Sequence, residues 1–262
     1  MSKYMIQIVF SLLTLQFIIA CQPHNEDKLQ QDINELKQDV KQLTVALTTI
    51  GSQVKDIHVI ATNAKKPQFK TLPTQANYDE NGQLPVIGDN QAQLAIIEIS
   101  DYQCPYCKRF IDQTFTKLKT NYVDSGKVKY LTRDFPLGFH KQAQGAAIAA
   151  NCSLQQNAYW PMRAALFNNM KQLGHALYQK TAEALSLDMG KFSECLVDKK
   201  IVDKIAQDIA YVKSLGVGGT PSFVVGRIEN NKLITPKLLV GAQSYETFAL
   251  LLDELLAKQS KH

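Results

Sequence analysis

The chain has 262 residues, of which 45% are hydrophobic and 20% are charged, so it can bury the core of an ordinary globular protein. This composition excludes collagen-like, low-complexity and multi-span membrane proteins. The formal net charge of +5 is modest and the sequence contains no dense basic run, so nucleic-acid binding has no support.

Residues 1–20 have the pattern of an export signal. Lys3 precedes a short apolar stretch, residues 9–19, that is too short for a comfortable transmembrane span. The sequence Ile-Ile-Ala immediately before Cys21 resembles the lipobox of bacterial lipoproteins. The resemblance implies cleavage before Cys21 and lipid attachment to it, at the periplasmic face of a bacterial membrane. Because Gln22 follows, it favours the outer membrane. An ordinary signal peptide with a coincidental cysteine is the alternative.

Residues 21–66 contain apolar residues in alternating steps of four and three. Such an unbroken heptad repeat is typical of a coiled coil, and its composition favours two parallel strands. Asp32, at a g position, can also reach Lys37, at an e position of a partner helix. We therefore predict a helical segment that forms a homodimer; an amphipathic helix folded onto its own domain is the alternative. The a positions are Ile33, Val40, Leu47 and Val54, and the d positions are Leu29, Leu36, Leu43, Ile50 and Ile57.

Residues 67–86 contain three prolines and an Asn-Gly pair without a sustained period, which predicts a linker. The main domain, residues 87–262, shows the order strand–helix–strand, a long helical block, then strand–strand–helix. This order predicts an α/β sheet with a helical insertion at about 139–213. The predicted strands are 94–99, 127–135, 222–228 and 233–240, and the predicted helices are 105–123, 143–150, 160–172, 176–186, 198–212 and 244–258.

A Cys-Pro-Tyr-Cys sequence lies between the first strand and the first helix of this domain. Its position places the sulfur of Cys104 near the free amide groups and the positive end of the helix dipole, which lowers the pKa of the thiol. Cys104 is therefore the predicted nucleophile of thiol–disulfide exchange, and Cys107 the predicted resolving cysteine. Pro105 suits the first helical turn, where its missing N–H would be unsatisfied anyway. The cysteine pair carries the electrons, so we expect no cofactor.

The same motif can begin a zinc site, but such a site needs two further ligands. No second Cys-x-x-Cys and no pair of histidines at metal-ligand spacing occurs in the sequence. We therefore expect no structural metal; copper held by the same two thiolates is a weaker alternative.

Four ordered motifs of the main domain carry a family resemblance. They are Glu98–Cys107 (EISDYQCPYC), Thr132–Leu137 (TRDFPL) with His140, Ala149–Cys152 (AANC) and Gly216–Phe223 (GVGGTPSF). Over roughly residues 84–258 the chain resembles the DsbA-type family of thioredoxin-fold thiol–disulfide oxidoreductases. The resemblance implies a thioredoxin fold with a helical insertion and an enzyme that forms or isomerises disulfides. It implies exported proteins with thiols or disulfides as substrates, and a membrane redox partner.

The resemblance also implies roles for single residues. Thr220 and Pro221 fall where the family keeps a cis-proline loop that docks substrate beside Pro105 and Tyr106. Glu98 falls where the family places a buried acid that moves the proton of the resolving cysteine. An exposed carboxylate on an edge strand is the alternative for Glu98.

Two features depart from the strongly oxidising DsbA proteins. The dipeptide between the cysteines is Pro-Tyr rather than Pro-His, which removes a thiolate-stabilising cation, so we expect a less oxidising potential. Thr220 before the proline and a dimerising N-terminal segment resemble the disulfide isomerases, in which two active sites face a shared cleft. Isomerisation needs a population of reduced Cys104, which a weaker oxidant supplies more easily.

Four cysteines besides Cys21 predict disulfides if the chain is exported, because that compartment is oxidising. They allow three pairings, and pairing Cys104 with Cys107 leaves Cys152 with Cys195. The latter two lie in the helical block, which resembles family members that carry a second disulfide there. Two unpaired buried cysteines are the alternative.

Other residues are predicted to have structural roles. The aromatic residues Tyr159, Trp160 and Phe167 are expected to pack the insertion against the active-site helix, and Arg133, Asp134 and His140 to form a polar cluster. A second class of function also stays open, a lipid-anchored structural or antigenic surface protein that keeps the fold as a scaffold.

Overall fold

The computed structural model describes residues 24–63, 69–72, 76–77, 79, 84–230 and 232–257. The chain divides into two compact units, Met1–Lys66 and Pro67–His262. The predicted signal peptide and Cys21 lie outside the described residues. Within the ranges given above, no helix combines the length and apolar character that crossing a membrane requires.

The first unit contains one long helix, α1, His24–Asn63. Its 40 residues extend over about 60 Å at 1.5 Å per residue. Glu26 and Asp27 lie in its first turn, where negative charge stabilises the helix dipole. All side chains described in it, from 26 to 56, are exposed, and these include the apolar heptad residues from Leu29 to Val54. The predicted N-terminal helix is confirmed, and its apolar stripe lies exposed on a single chain.

The second unit is built on a seven-stranded sheet in the order β1-β7-β6-β4-β5-β3, with β2 also paired to β7. The strands are β1 (Lys70–Thr71), β2 (Ala76–Asn77), β3 (Val86–Ile87), β4 (Leu94–Ser100), β5 (Val128–Asp134), β6 (Ser222–Glu229) and β7 (Lys232–Val240). Strand β4 pairs parallel with β5 and antiparallel with β6, so it is central. Its continuous apolar run suits a strand that is buried on both faces.

The helices follow the predicted order. Helix α2 (Pro105–Phe110) follows β4 and continues through a π-helical turn (Ile111–Phe115), α3 (Thr116–Leu118) and a second π-helical turn (Lys119–Val123). The insertion contains α4 (Ala143–Leu154), α5 (Tyr159–Asn168), a 3-10 turn (Met170–Gln172), α6 (His175–Ala184), α7 (Met189–Leu196) and α8 (Lys199–Ser214), and α9 (Tyr245–Ala257) closes the domain. The predicted α/β sheet with a helical insertion is therefore present.

Two local predictions need correction. Part of the segment predicted as a linker, 67–86, joins the sheet, since β1 and β2 pair with β7 and β3 pairs with β5. Strands of two residues are too short to show an alternating pattern in the sequence. Helix α7 was not predicted either. It has 8 residues, and Asp188 caps it by accepting a hydrogen bond from the amide of Lys191.

Both faces of the sheet are covered by buried apolar side chains. Phe110, Phe223 and Phe248 lie in the core on one face, and Leu131 and Val212 in the core on the other. A third core fills the insertion and extends to the two cysteines of the Cys-Pro-Tyr-Cys sequence. It consists of insertion residues such as Met162 and Leu166 together with Tyr102, Cys104 and Cys107. The insertion therefore packs directly against the two cysteines.

Cys152 of α4 and Cys195 of α7 are joined by a disulfide with an S–S distance of 2.05 Å. The aromatic residues of the insertion divide between two contacts. Trp160 stacks on Phe115 of the helix that begins with α2. Phe167 packs on Tyr102, in the loop before α2, with ring centroids 4.8 Å apart, and Tyr159 accepts a hydrogen bond from the same tyrosine.

Candidate active site at the start of helix α2

Cys104 and Cys107 lie where β4 ends and α2 begins. Cys104 is the N-cap residue with an extended backbone, Pro105 follows at the start of the helix, and Cys107 lies in its first turn. Both thiols are free, and their residues are only 3% and 0% exposed. Pro105 and Tyr106 are exposed beside them. The turn therefore places one buried sulfur at the amide end of the helix and the second sulfur behind it.

The environment of Cys104 favours its thiolate. Its pKa is lowered to about 5, mainly because the Cys107 thiol donates a hydrogen bond to the sulfur. Burial opposes this effect, but the Thr220 side chain and the amide groups of Cys107 and Tyr106 also stabilise the charge. Cys104 is therefore ionised at neutral pH, which makes it a nucleophile.

The environment of Cys107 has the opposite effect. Its pKa is raised well above the usual value, first by burial, then by the hydrogen bond and the charge of Cys104, and also by the charge of Glu98. Cys107 thus stays protonated while Cys104 is ionised. Thiol–disulfide exchange requires these two roles: a thiolate that attacks the substrate, and a second thiol that afterwards attacks the mixed disulfide and releases the substrate.

The loop before β6 reaches the sulfur of Cys104. The peptide bond between Thr220 and Pro221 is cis. The sulfur of Cys104 lies 3.4 Å from the carbonyl oxygen of Thr220, to which the protonated thiol donates. The Thr220 hydroxyl oxygen is buried and has no hydrogen-bond partner within the described ranges. The hydroxyl is thus free to donate to the thiolate.

Replacing Thr220 with valine is expected to raise the pKa of Cys104, because the thiolate loses a hydrogen-bond donor. A hydrogen bond to a charged group contributes about 1.5 kcal/mol or more, which corresponds to about one pH unit. The rate of Cys104 alkylation by iodoacetamide, measured against pH, gives the midpoint: about pH 5 for the wild type and a higher pH for Thr220→Val. Thr181→Val, a buried threonine in α6, is the control. Identical midpoints for Thr220→Val and wild type would show that the hydroxyl plays no part.

Glu98 lies in β4 and is completely buried. Because β4 is a central strand, the alternative of an exposed carboxylate on an edge strand is wrong. Its Oε2 accepts hydrogen bonds from the Tyr130 hydroxyl and the Arg163 guanidinium, each at 2.5 Å. Its Oε1 is also buried and has no hydrogen-bond partner among the residues that the structure describes. The charge of Glu98 acts on Cys107, so the two groups belong to one site.

Sequence analysis did not single out Arg163 or Tyr130. Arg163 lies in α5 between the buried residues Met162 and Leu166 and is 3% exposed. A charged residue among the apolar residues of a short helix is the signal that could have identified it, since buried charges are normally paired.

The polar cluster predicted for Arg133, Asp134 and His140 divides into two groups. Arg133 binds Asp208 at 2.7 Å, and Asp208 with Asp134 also pairs with Lys204 of α8. In the other group, His140 Nδ1 lies 2.8 Å from Asp101 Oδ2, which also accepts the Leu137 amide. Arg133 and Asp134 therefore share a polar cluster with Asp208 and Lys204, and His140 is paired with Asp101. No group of three or more potential metal-binding side chains occurs in the part of the chain that the structure describes.

A family model described as thioredoxin matches residues 80–253. The crystal structure of alpha-DsbA1 from Wolbachia pipientis is 30% identical, with a TM-score of 0.58, and the match covers 71% of this chain and 94% of that one. The chain belongs to the DsbA-type family of thioredoxin-fold oxidoreductases. The family resemblance and the fold predicted from sequence are thereby confirmed.

Two curated relatives show how far the likeness of this DsbA-type chain extends. A Rickettsia bellii protein that carries the name protein-disulfide oxidoreductase is 28% identical over 176 residues, which cover 63% of this chain and 64% of that protein. A Na⁺/H⁺ antiporter of Salinispora tropica is 36% identical over 141 residues, or 53% of this chain. The match covers 21% of the antiporter, so the DsbA-type chain is similar to about a fifth of its length.

Proposed function

We propose that the chain exchanges thiols and disulfides in exported proteins through Cys104 and Cys107. The observation that carries the proposal is the pair of opposite pKa shifts in one helical turn, lowered to about 5 at Cys104 and raised at Cys107. The cis bond before Pro221 lies in the loop that contacts the same sulfur. A surface protein that keeps the fold as a scaffold would not require these shifts.

The exchange follows from the two protonation states. The Cys104 thiolate attacks one sulfur of a substrate disulfide, whose second sulfur leaves with the electron pair. Cys107 then gives its proton to Glu98 and attacks Cys104, so that the Cys104–Cys107 bond forms and the bond to the substrate breaks. The reverse sequence transfers the disulfide to a substrate. Substrate backbone is expected to lie along the Thr220–Pro221 loop, with Pro105 and Tyr106 exposed beside it.

Export and lipid attachment are part of the same proposal. The lipobox-like sequence before Cys21 supports an anchor at the periplasmic face, with the outer membrane favoured by Gln22. The Cys152–Cys195 disulfide supports an oxidising compartment, because such bonds persist there. A membrane redox partner would then restore the oxidation state of the cysteine pair.

A second copy of the chain is proposed as the partner of α1. The heptad residues from Leu29 to Val54 are 37–68% exposed, among them Leu36 and Leu43. Pairing two such helices along the a and d positions would bury this stripe and bring Asp32 near Lys37 of the partner helix. The dimer would join two active sites. The resemblance to disulfide isomerases, which includes Thr220 before the proline, requires such a pair of sites.

The double substitution Leu36→Asp/Leu43→Asp is expected to turn the dimer into a monomer, because it places charges in the seam. Sedimentation measures the mass, and recovery of ribonuclease activity from scrambled and from fully reduced protein measures isomerisation and oxidation. Loss of the scrambled-substrate activity alone is expected. Val45→Asp is the matched control, since Val45 is also exposed on α1 but occupies an f position. If the wild type is a monomer, or rescues only reduced ribonuclease, the dimeric isomerase proposal fails and a DsbA-like oxidase remains.

A further inference from the structure

Glu98 is a buried carboxylate whose two oxygens differ. Oε2 accepts from both Tyr130 and Arg163, whereas buried Oε1 has no hydrogen-bond partner in the described ranges. A buried polar atom without a partner costs free energy, so its presence in a native structure calls for an explanation such as a catalytic role. The charge of Glu98 also acts on Cys107, and Oε1 is the oxygen that Tyr130 and Arg163 leave without a hydrogen bond.

Arg163 is the cation of this site, and it comes from the insertion rather than from the sheet. It lies in α5 and its side chain is 4% exposed in the ion pair with Glu98. Burial is the largest influence and lowers its pKa, but Glu98 and the neighbouring tyrosines together outweigh burial, so the pKa is raised overall and Arg163 stays cationic. A buried carboxylate without such a partner takes up a proton instead of staying charged.

The other titratable groups packed around the pair do not change charge near neutral pH. Burial raises the pKa of each surrounding tyrosine, and the more distant Asp134 is paired with Lys204 of α8. The tyrosines are Tyr102, Tyr130 and Tyr159. Proton transfer near Cys107 is therefore left to Glu98.

We propose that Arg163 is a positioning residue of the exchange reaction: it holds Oε2 of Glu98 in a buried ion pair, which leaves Oε1 as the base for Cys107. This inference rests on the proposed function and gives the insertion a part in the chemistry. In the step concerned, Cys107 gives its proton to Oε1 and attacks the Cys104 sulfur of a mixed disulfide. The Cys104–Cys107 bond forms, and the substrate sulfur leaves as a thiolate with the electron pair of the broken bond.

The test follows the resolution of a mixed disulfide with glutathione. The reduced protein is mixed with glutathione disulfide from pH 5 to 9, quenched with acid, and its forms are counted by mass spectrometry. In Arg163→Met, resolution at neutral pH is expected to slow by about 100-fold, which is in the range of a lost general base. The rate should recover as the pH rises, because hydroxide then removes the proton of Cys107 without the help of a positioned base. Arg163→Lys keeps the cation and is expected to restore the wild-type profile.

Controls separate this role from a loss of packing. Arg133→Met removes another largely buried ion pair, with Asp208, and is expected to keep the wild-type pH profile. In a Glu98→Gln background, Arg163→Met should add no further slowing. If attack by Cys104 is normal but Arg163→Met resolves as fast as wild type at every pH, or slows equally at every pH, the inference is wrong. If Cys104 does not react in the wild type, the proposed function itself fails.

Discussion

Replacing Cys104 with serine is expected to abolish disulfide exchange, whereas replacing Cys107 with serine is expected to trap a mixed disulfide. Serine at 104 supplies no thiolate near neutral pH, so the first attack does not occur. Serine at 107 leaves the first attack intact but removes the sulfur that would release the substrate. The two variants thus fail at different steps, although both are substitutions of one atom.

Incubation of the reduced variants with scrambled ribonuclease, whose disulfides the Cys104 thiolate can attack, followed by acid quenching and gel electrophoresis without reductant, distinguishes these failures. Cys107→Ser should accumulate a covalent adduct with ribonuclease, and Cys104→Ser should form none. The double variant Cys152→Ala/Cys195→Ala, which leaves the active-site pair intact, is expected to retain exchange. Retained activity in Cys104→Ser would contradict the assignment of the nucleophile, and an adduct formed through Cys107 would reverse the two roles.

Removing the Cys152–Cys195 disulfide is expected to lower the free energy of unfolding by about 3–4 kcal/mol, according to the chain-entropy relation for a loop of this length. The bond joins residues 43 positions apart. Without it, the unfolded chain gains conformational freedom that the folded insertion does not have. The loss is large compared with the 5–15 kcal/mol that is usual for a whole domain.

Urea unfolding of Cys152→Ala/Cys195→Ala measures this loss. Both proteins should carry Cys104→Ser and Cys107→Ser, so that no free thiol rearranges the disulfide during unfolding. The Cys104→Ser/Cys107→Ser protein with an intact Cys152–Cys195 disulfide is the reference. Chemical reduction of its disulfide should reproduce most of the loss in unfolding free energy. If the urea unfolding transitions with and without the Cys152–Cys195 disulfide coincide, the disulfide contributes little to stability.

The main elements could be predicted because their signals are local. The predicted strand 94–99 corresponds to β4, and 222–228 and 233–240 to β6 and β7, each within one residue. The Cys-Pro-Tyr-Cys sequence between a strand and a helix indicated both cysteines and their order of reaction. These signals require only a few neighbouring residues, so a single sequence contains them.

The partners of the site could not be predicted in the same way, because they come from distant parts of the chain. Thr220 is 116 positions from Cys104, and it was recognised only through the family resemblance. Arg163 is 65 positions from Glu98, in a helix whose pattern shows burial but not its neighbour. Which buried groups meet is decided by tertiary packing, and periodicity carries no information about it.

The central claim is that Cys104 and Cys107 exchange a disulfide with another protein, and a single turnover followed by mass spectrometry tests it most directly. Oxidised wild-type protein is mixed with an equal amount of reduced ribonuclease, quenched with acid, and the redox state of each cysteine is determined. The account predicts that Cys104 and Cys107 each gain a hydrogen atom while ribonuclease loses two for every disulfide transferred, with Cys152–Cys195 unchanged. An active-site pair that stays oxidised beside fully reduced ribonuclease would contradict it.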